Sequence, residues 1–361
     1  MFERRLYHHV DWLLIAAVFT ICAIGLAMIY STTGGPSRVY WTQVYALGLG
    51  VIAMGAALLF DYRSLADKSH WLYLGVVLLL VGVLFFGAVR GGSRRWIDLG
   101  LFNLQPSEFA KATLALMLAK MLGESRRPAL TNGDLAIASV LTAVPFIVIA
   151  RQPDLGTAVT LLPILLAVAY VAGMPMRYLG VLALVAVLLA PVAYKFALQD
   201  YQRERIATFL DPSQDPRGAG YQQIQARITV GSGGVWGKGF MGGTQGQLRF
   251  LPVAHNDFIF SVLAEEQGLV GVLVALGLYL FVILRALEAA RLAKDRLGAY
   301  LVLGVLSAFT FQVIYNITMS AGLVPVKGLT LPLMSYGGSS MIATLAGFGL
   351  ILNVRMRRFT N

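Results

Sequence analysis

The sequence has little of the polar surface that a water-soluble protein needs. Only 13% of its 361 residues are Asp, Glu, Lys or Arg, about half the share usual in soluble domains. A single cysteine, Cys22, excludes a disulfide framework and a cysteine-based metal cluster. Intrinsic disorder is excluded too, because 57% of the residues are hydrophobic and the mean hydropathy is +0.71. An integral membrane protein remains.

Long hydrophobic runs are abundant, and ten of them are long enough to cross a bilayer as helices. They predict an all-α polytopic membrane protein that forms a single transmembrane domain over residues 1–361. The ten predicted spans are 12–31, 41–60, 71–89, 104–122, 134–150, 156–174, 176–194, 258–284, 298–320 and 330–353.

The Lys and Arg residues of the short loops predict the orientation of these spans. With the N-terminus in the cytoplasm, the inner loops and ends carry fifteen Lys and Arg residues and the short outer loops carry six. Both termini are therefore expected inside. The basic residues behind the net charge of +11 are spread over many cytoplasmic loop ends, which suits contact with an anionic lipid surface. Nucleic acid is therefore not an expected partner.

Residues 195–257 form the one long polar stretch, between the seventh and eighth spans, and are expected to be a partly structured extracytoplasmic loop. Gly237, Gly239 and Gly242 fit the spacing G-x-G-x-x-G. A dinucleotide site also needs a preceding strand and a βαβ unit, which this loop cannot supply. The glycines are therefore interpreted as turn residues.

Charged residues inside the predicted spans are rare, and such residues are usually functional. Glu108 and Lys111 are three residues apart and share one helix face, so they form either a structural ion pair or part of a site. Asp154 lies at an outer boundary, where it either caps a helix or serves a site.

Asp257 stands where the long loop returns to the membrane, directly before an apolar run. Partial desolvation there would raise the pKa of its carboxyl towards that of a useful base. The alternative is a helix N-cap, and the residues alone do not separate the two. His255 is either a packing residue or a ligand or proton partner of the site.

Five motifs resemble the SEDS family (shape, elongation, division and sporulation proteins). They occur in the family's order along nearly the whole chain: GGSRRWI at 91–97, QPSEFAK at 105–111, QPDLGTA at 152–158, HNDFIF at 255–260 and LPLMSYGGSS at 331–340. Residues 211–221 and 239–245 look most like the elongation branch of that family. Asn256 and Val253 depart from the pattern, where Thr and Glu are common.

The resemblance implies ten transmembrane helices and a peptidoglycan glycosyltransferase. Members polymerise lipid II, on the outer face of the bacterial cytoplasmic membrane, into β1,4-linked glycan during cell elongation. They work with a class B penicillin-binding protein that crosslinks the product. The essential acid of the family falls on Asp257, which is thereby predicted to be the catalytic base. The remaining predicted site residues bind substrate: Glu108, Lys111, Arg94, Asp154, His255, Lys327 and Ser335.

Inversion at the donor sugar requires a single in-line displacement with a base and with cations that neutralise the leaving diphosphate. The outer-face cations available for this are Arg94, Arg95, Lys111, Arg203, Arg205, Lys238 and Lys327. No nucleotide is required, because the diphosphate linkage already supplies the driving force, and a divalent cation such as Mg²⁺ could share the task through substrate oxygens. A lipid II flippase and a non-catalytic scaffold for the penicillin-binding protein remain alternatives.

Overall fold

Helices make up most of the structure, a computed structural model that describes residues 9–90, 93–98, 100, 103–125, 130–197, 200–215, 218–247, 250–251 and 254–359. Its elements in chain order are α1 (Trp12–Thr32), α2 (Arg38–Leu59), α3 (Tyr62–Asp67), α4 (Ser69–Phe86), β1 (Ala88–Arg90), β2 (Ser93–Asp98), β3 (Asn103–Leu104), α5 (Pro106–Gly123), α6 (Asn132–Arg151), α7 (Leu155–Val159), α8 (Leu161–Val171), α9 (Met176–Val192), α10 (Asp200–Leu210), α11 (Ala219–Ser232), α12 (Thr244–Gln247), α13 (Ile259–Arg291), α14 (Arg296–Ser320) and α15 (Gly338–Met356).

Within these described ranges, seven helices are long and apolar enough to cross a membrane: α1, α2, α4, α6, α13, α14 and α15. Three other predicted spans correspond to helices outside that group. α5 carries Glu108, Lys111 and Lys120, α9 is shorter, and the sixth predicted span is divided into α7 and α8 at Thr160. The division falls just before Pro163, which cannot donate the next helical hydrogen bond. The count of ten spans therefore stays a prediction.

The core of the bundle lies around α14 and α15. In the most apolar window of α15, 83% of the residues are buried, against 17% in α4. α14 packs against α5, α8, α13 and α15, and α2 lies along α15. Because lipid is as apolar as a side chain, the exposed apolar residues of α4 and α9 are those expected of a lipid-facing surface.

The prediction of an all-α fold was wrong at one place. Between α4 and α5, the strands β1, β2 and β3 form a small antiparallel sheet in the order β1-β2-β3, with Val89 opposite Arg94 and Ile97 opposite Leu104. The hydropathy of 71–89 and 104–122 indicated only spans and a connection, because strands this short leave almost no periodic signal.

The last predicted span, 330–353, was also placed too early. α15 begins at Gly338, and the apolar residues before it form a buried loop in which Leu333 has a φ of 68°. Pro332 has no amide hydrogen to donate, and the amides of Met334 and Ser335 both bond to the Leu331 carbonyl. The loop is apolar because it packs inside the protein, against α1, and not because it faces lipid. A Cβ on Gly25 of α1 would lie 2.5 Å from the Met334 carbonyl oxygen.

α13 is bent at Gly268, where the backbone has a φ of 63° and a ψ of −163°. The glycine-rich segment 233–239 enters this break and pairs with it. The amides of Lys238 and Gly239 donate to the carbonyls of Glu265 and Glu266, at 3.0 and 2.9 Å. In return, the Leu269 amide donates to the Gly234 carbonyl at 2.9 Å. Gly237 and Gly239 themselves have positive φ, as expected of turn residues.

The bend yields a prediction about stability. A Cβ at Gly268 would lie 2.3 Å from the Gly237 amide nitrogen and would hold a side chain at positive φ. Gly268→Ala is therefore expected to lower the free energy of unfolding by about 1–3 kcal/mol, which a thermal unfolding scan in detergent would measure. Gly277→Ala in the same helix is the matched control, because a Cβ there has nothing within 4 Å. Equal melting temperatures for the two variants would contradict the prediction.

Candidate functional site

A cavity of about 470 Å³ lies at the end of the bundle where α5, α13 and α15 begin. The loop before α13, the loop before α15 and strand β2 complete its wall. The residues that contribute polar side chains to this main cavity are Thr42, Arg95, Asn103, Gln105, Glu108, Thr157, Asn256, Asp257, Thr330, Tyr336, Ser339 and Ser340.

Asp257 lies in the wall of the main cavity, and a side chain of α14 holds its backbone by a hydrogen bond. The Asn316 amide donates to the Asp257 carbonyl at 2.9 Å and to the Leu329 carbonyl at 2.7 Å. One buried side chain therefore ties together the two loops that approach the cavity. Gly328 faces the carboxylate, since a Cβ there would lie 3.6 Å from Oδ2. The absence of a side chain at Gly328 leaves that approach to the carboxylate open.

The alternative role of Asp257 as a helix cap is wrong. The N-cap of α13 is Phe258, and no side chain caps the helix there. Burial raises the pKa of the Asp257 carboxyl to about 6, while the charges of Arg95 and Arg205 oppose the rise. Asp257 is therefore a carboxyl without a capping role, with a pKa near neutrality, in a cavity.

Asp154 caps a helix, and it also bonds to two residues of the main cavity's wall although it does not line the cavity itself; its role in binding substrate stays a prediction. Its Oδ1 accepts from the Thr157 amide at the start of α7, at 3.2 Å. Its Oδ2 accepts from Thr157 Oγ1 at 3.0 Å and from Gln105 Nε2 at 2.9 Å, and it lies 3.4 Å from Arg95 Nη1. Asp154 thereby holds Arg95 at the cavity wall.

Of the two neighbouring arginines, Arg95 lines the main cavity, whereas Arg94, which was predicted to contact substrate, does not. Arg94 is exposed, and its guanidinium reaches the Phe85 carbonyl at 3.5 Å. Successive side chains of a strand point to opposite faces, so in β2 only one of the two neighbouring arginines can face the cavity. Arg95 does so, and its guanidinium also lies over the Trp96 ring, 5.8 Å from the centroid.

Glu108 and Lys111 form an ion pair inside the bundle. Lys111 Nζ lies 2.8 Å from Glu108 Oε2 and donates to Gln312 Oε1 of α14 at 2.9 Å. Glu108 lines both the main cavity and a separate pocket of about 40 Å³, and Lys111 lines this separate pocket together with Phe309 and Phe348. Glu108 and Lys111 thus form the structural ion pair, and Glu108 also lies at the main cavity.

The other three predicted substrate contacts lie outside the lining of the main cavity. The His255 ring packs edge-on against Tyr336, with centroids 5.6 Å apart, and burial lowers the pKa of its imidazole. This contact favours the packing role. The Ser335 hydroxyl accepts from the Leu331 amide at 2.9 Å and so shapes the loop. Lys327 lines a second cavity that adjoins the first.

Several residues that line the main cavity or hold its loops were missed because they look ordinary in the sequence. Ser339 accepts from the Gln105 amide and donates to the Asn103 carbonyl, both at 2.8 Å, and so joins α15 to β3. Gln43 of α2 donates to the Ser335 carbonyl and accepts from the Gly337 amide. The only available signal for Gln43 was its place as a polar residue within a predicted span. Val253, noted as a departure from the family pattern, lies outside the described residues.

The described part of the chain includes no group of three or more His, Cys, Asp or Glu side chains placed to hold a metal ion. A hard cation such as Mg²⁺ prefers oxygen ligands and keeps several waters or phosphate oxygens. Any such ion would therefore be held mainly by substrate phosphates, and its presence stays a prediction.

Comparisons with known proteins show the family to which the chain belongs. Residues 7–359 match the family described as cell cycle protein, which comprises FtsW, RodA and SpoVE. The chain is 38% identical to the peptidoglycan glycosyltransferase MrdB of Escherichia coli (strain K12), over 97% of this chain and 94% of the relative.

Two solved structures are similar along almost the full length. A chain of a peptidoglycan synthase complex has a TM-score of 0.86 and 37% identity, covering 98% of this chain and 99% of that one. The rod shape determining protein RodA of Thermus thermophilus has a TM-score of 0.74 and 34% identity, covering 98% of both chains. The protein is thus a multi-pass membrane protein that belongs to the FtsW, RodA and SpoVE family, the SEDS family recognised from its five motifs.

Proposed function

We propose that the protein is a peptidoglycan glycosyltransferase that polymerises lipid II into β1,4-linked glycan during cell elongation. The names of its relatives support the reaction class, and the similarity to RodA supports the role in rod shape. The single observation that carries the proposal is the Asp257 carboxyl, partly desolvated beside an open cavity and free of any capping role.

Asp257 acts as the general base of an in-line displacement. It takes the proton of the attacking sugar hydroxyl while the bond between the donor's anomeric carbon and its diphosphate breaks, which inverts the configuration. A catalytic base works best with a pKa near the working pH, and a value of about 6 meets that requirement. Arg95, held by Asp154, supplies a positive charge to the same wall of the main cavity.

The acidic limb of the pH profile provides a test of this role. The base must be deprotonated, so kcat/KM is expected to fall as the pH decreases through about 6. The charge of Arg95 lowers the pKa of Asp257, so Arg95→Gln should move the midpoint to higher pH. Arg94→Gln is the matched control, because Arg94 is exposed outside the cavity. Equal midpoints in the two variants would exclude Arg95 as a neighbour that tunes the base.

The topology proposed for this activity has ten spans with both termini in the cytoplasm. α5, the α7–α8 pair and α9 bring the seven long helices to that number. In this arrangement the main cavity, the small sheet and the segment between α9 and α13 all lie on the outer side of the bacterial cytoplasmic membrane. A class B penicillin-binding protein is the proposed partner, supported by the similarity to a chain of a peptidoglycan synthase complex.

Reconstitution distinguishes the enzyme from the flippase and the scaffold. The purified protein with its partner is placed in vesicles with labelled lipid II, and the products are separated on a gel. Glycan chains that require the protein support the proposal. Movement of lipid II between leaflets without polymer would identify a flippase. Polymer that still forms at full rate with the Asp257→Asn protein would indicate a scaffold for a polymerase elsewhere.

A further inference from the structure

A second cavity, of about 280 Å³, adjoins the main one and has a different chemical character. Two cations, Arg205 of α10 and Lys327 of the loop before α15, line it. The rest of its wall is mostly apolar and comes from Pro153, Leu155, Ile206 and Pro325, with Gln202 as the one further polar residue among those that line it. Such a surface combines positive charge with hydrocarbon, and it offers few hydrogen-bonding groups of the kind that a sugar ring requires.

The two cavities share their dividing wall. On one chain segment, Pro153 and Leu155 face the second cavity while Thr157 faces the main one. On another, Lys327 faces the second cavity while its neighbour Gly328 lies beside the Asp257 carboxylate. The charge of Arg205 also contributes to the pKa of Asp257. The second cavity therefore lies next to the reacting centre, on the other side of residues 327–328.

The charges in the second cavity indicate an anionic ligand. Burial and the charge of Arg205 both lower the pKa of Lys327. Within the described residues, no carboxylate lies within 4.0 Å of the Lys327 ammonium to form an ion pair. Two like charges that line one cavity repel each other, and an anion with several oxygens would offset that repulsion with charge-assisted hydrogen bonds.

We propose that this second cavity binds the diphosphate group of an isoprenoid lipid carrier, with its apolar wall in contact with the first isoprene units. The inference rests on the proposed function and states where the diphosphate leaving group of that reaction binds. The sugar occupies the main cavity, and the acceptor hydroxyl loses its proton to Asp257. The electron pair of the broken carbon–oxygen bond stays on the diphosphate, whose added charge Arg205 and Lys327 neutralise.

Binding measured without catalysis tests the assignment. Farnesyl diphosphate, a short carrier analogue, is titrated into the purified full-length protein in detergent by calorimetry or native mass spectrometry. Arg205→Gln and Lys327→Gln are each expected to weaken its binding by about tenfold or more, since each removes a charge-assisted contact. Lys327→Arg should restore binding. Arg203→Gln is the matched control, because Arg203 lies on the same helix but pairs with Asp200 and the Lys195 carbonyl.

Three further probes identify the ligand chemistry. Inorganic pyrophosphate and farnesol should each bind more weakly than farnesyl diphosphate, because each provides only half of the recognised group. Phosphatidylglycerol vesicles that compete as well as farnesyl diphosphate would overturn the proposal in favour of a phospholipid headgroup site. Unchanged binding in both Gln variants, with melting temperatures equal to that of Arg203→Gln, would overturn it as well.

The outcome is separable from that of the proposed function. Asp257→Asn should bind farnesyl diphosphate at least as tightly as the parent protein, because it removes a negative charge near the second cavity. A protein that binds the diphosphate through Arg205 but makes no polymer would retain this inference and lose the proposed reaction. A protein that polymerises lipid II, but whose binding of farnesyl diphosphate does not change when Arg205 or Lys327 is replaced, would retain the proposed reaction and lose this inference.

Discussion

Asp257→Asn is expected to lower the rate of lipid II polymerisation by about 10²–10⁴-fold, the usual contribution of a general base. The amide keeps the shape of the side chain but cannot accept the proton of the sugar hydroxyl. Folding should not suffer. The pKa of Asp257 is raised in the folded protein, so the ionised carboxylate opposes folding at neutral pH. The neutral amide removes that opposition, and the melting temperature should stay equal or rise.

The polymer made per unit time, at equal protein and partner concentrations, is the measurement for this variant. Asp200→Asn is the control, since it makes the same chemical change on a fully exposed carboxylate of α10. An Asp257→Asn protein that polymerises at the rate of Asp200→Asn would exclude the base. A large loss of activity accompanied by a lower melting temperature would assign Asp257 a structural role instead.

Sequence reasoning located Asp257 because its signal is local. A carboxylate between a long polar segment and an apolar run is partly desolvated in almost any packing of the helices. The predicted orientation of the chain, which stays a prediction, uses a similarly simple signal, a sum of charges over many loops. Both inferences use properties that do not require knowledge of which helices are neighbours.

The partners of Asp257 could not be predicted in the same way. Choosing between Arg94 and Arg95 required knowing that β2 is a strand, because only then do the two side chains separate to opposite faces. The same limit applies to Ser335, whose hydroxyl is used within its own loop, whereas Ser339 reaches across to β3. Contacts between segments far apart in the chain decide these roles.

Hydropathy also cannot distinguish an interior from a lipid-facing surface. The apolar run that begins at Leu331 was taken as the start of a span, yet Leu331, Leu333 and Met334 are buried inside the protein. Lipid and protein core make the same demand on a side chain. The difference lies in the backbone, where Pro332 and the positive φ of Leu333 prevent a helix.

Lys111→Met is expected to give the largest loss of stability among these variants. In the parent protein Lys111 Nζ lies 2.8 Å from Glu108 Oε2. The substitution removes this cation and leaves the Glu108 carboxylate inside the bundle beside an apolar side chain. Removing one partner of a buried ion pair costs about 3–5 kcal/mol, and both side chains are nearly enclosed, with 10% and 6% of their surface exposed. The melting temperature in detergent should fall well below that of the parent protein.

The double variant Glu108→Gln/Lys111→Met separates the structural role from the functional one. It removes both charges at once, so most of the lost stability should return. Polymerisation should stay at least about tenfold below the parent rate, because a charged Glu108 at the main cavity is expected to make a substrate contact worth more than 1.4 kcal/mol. A double variant that regains both stability and activity would identify the pair as purely structural. Its location within the family motif at 105–111 would then reflect the demands of packing α5 against α14 and not those of the reaction.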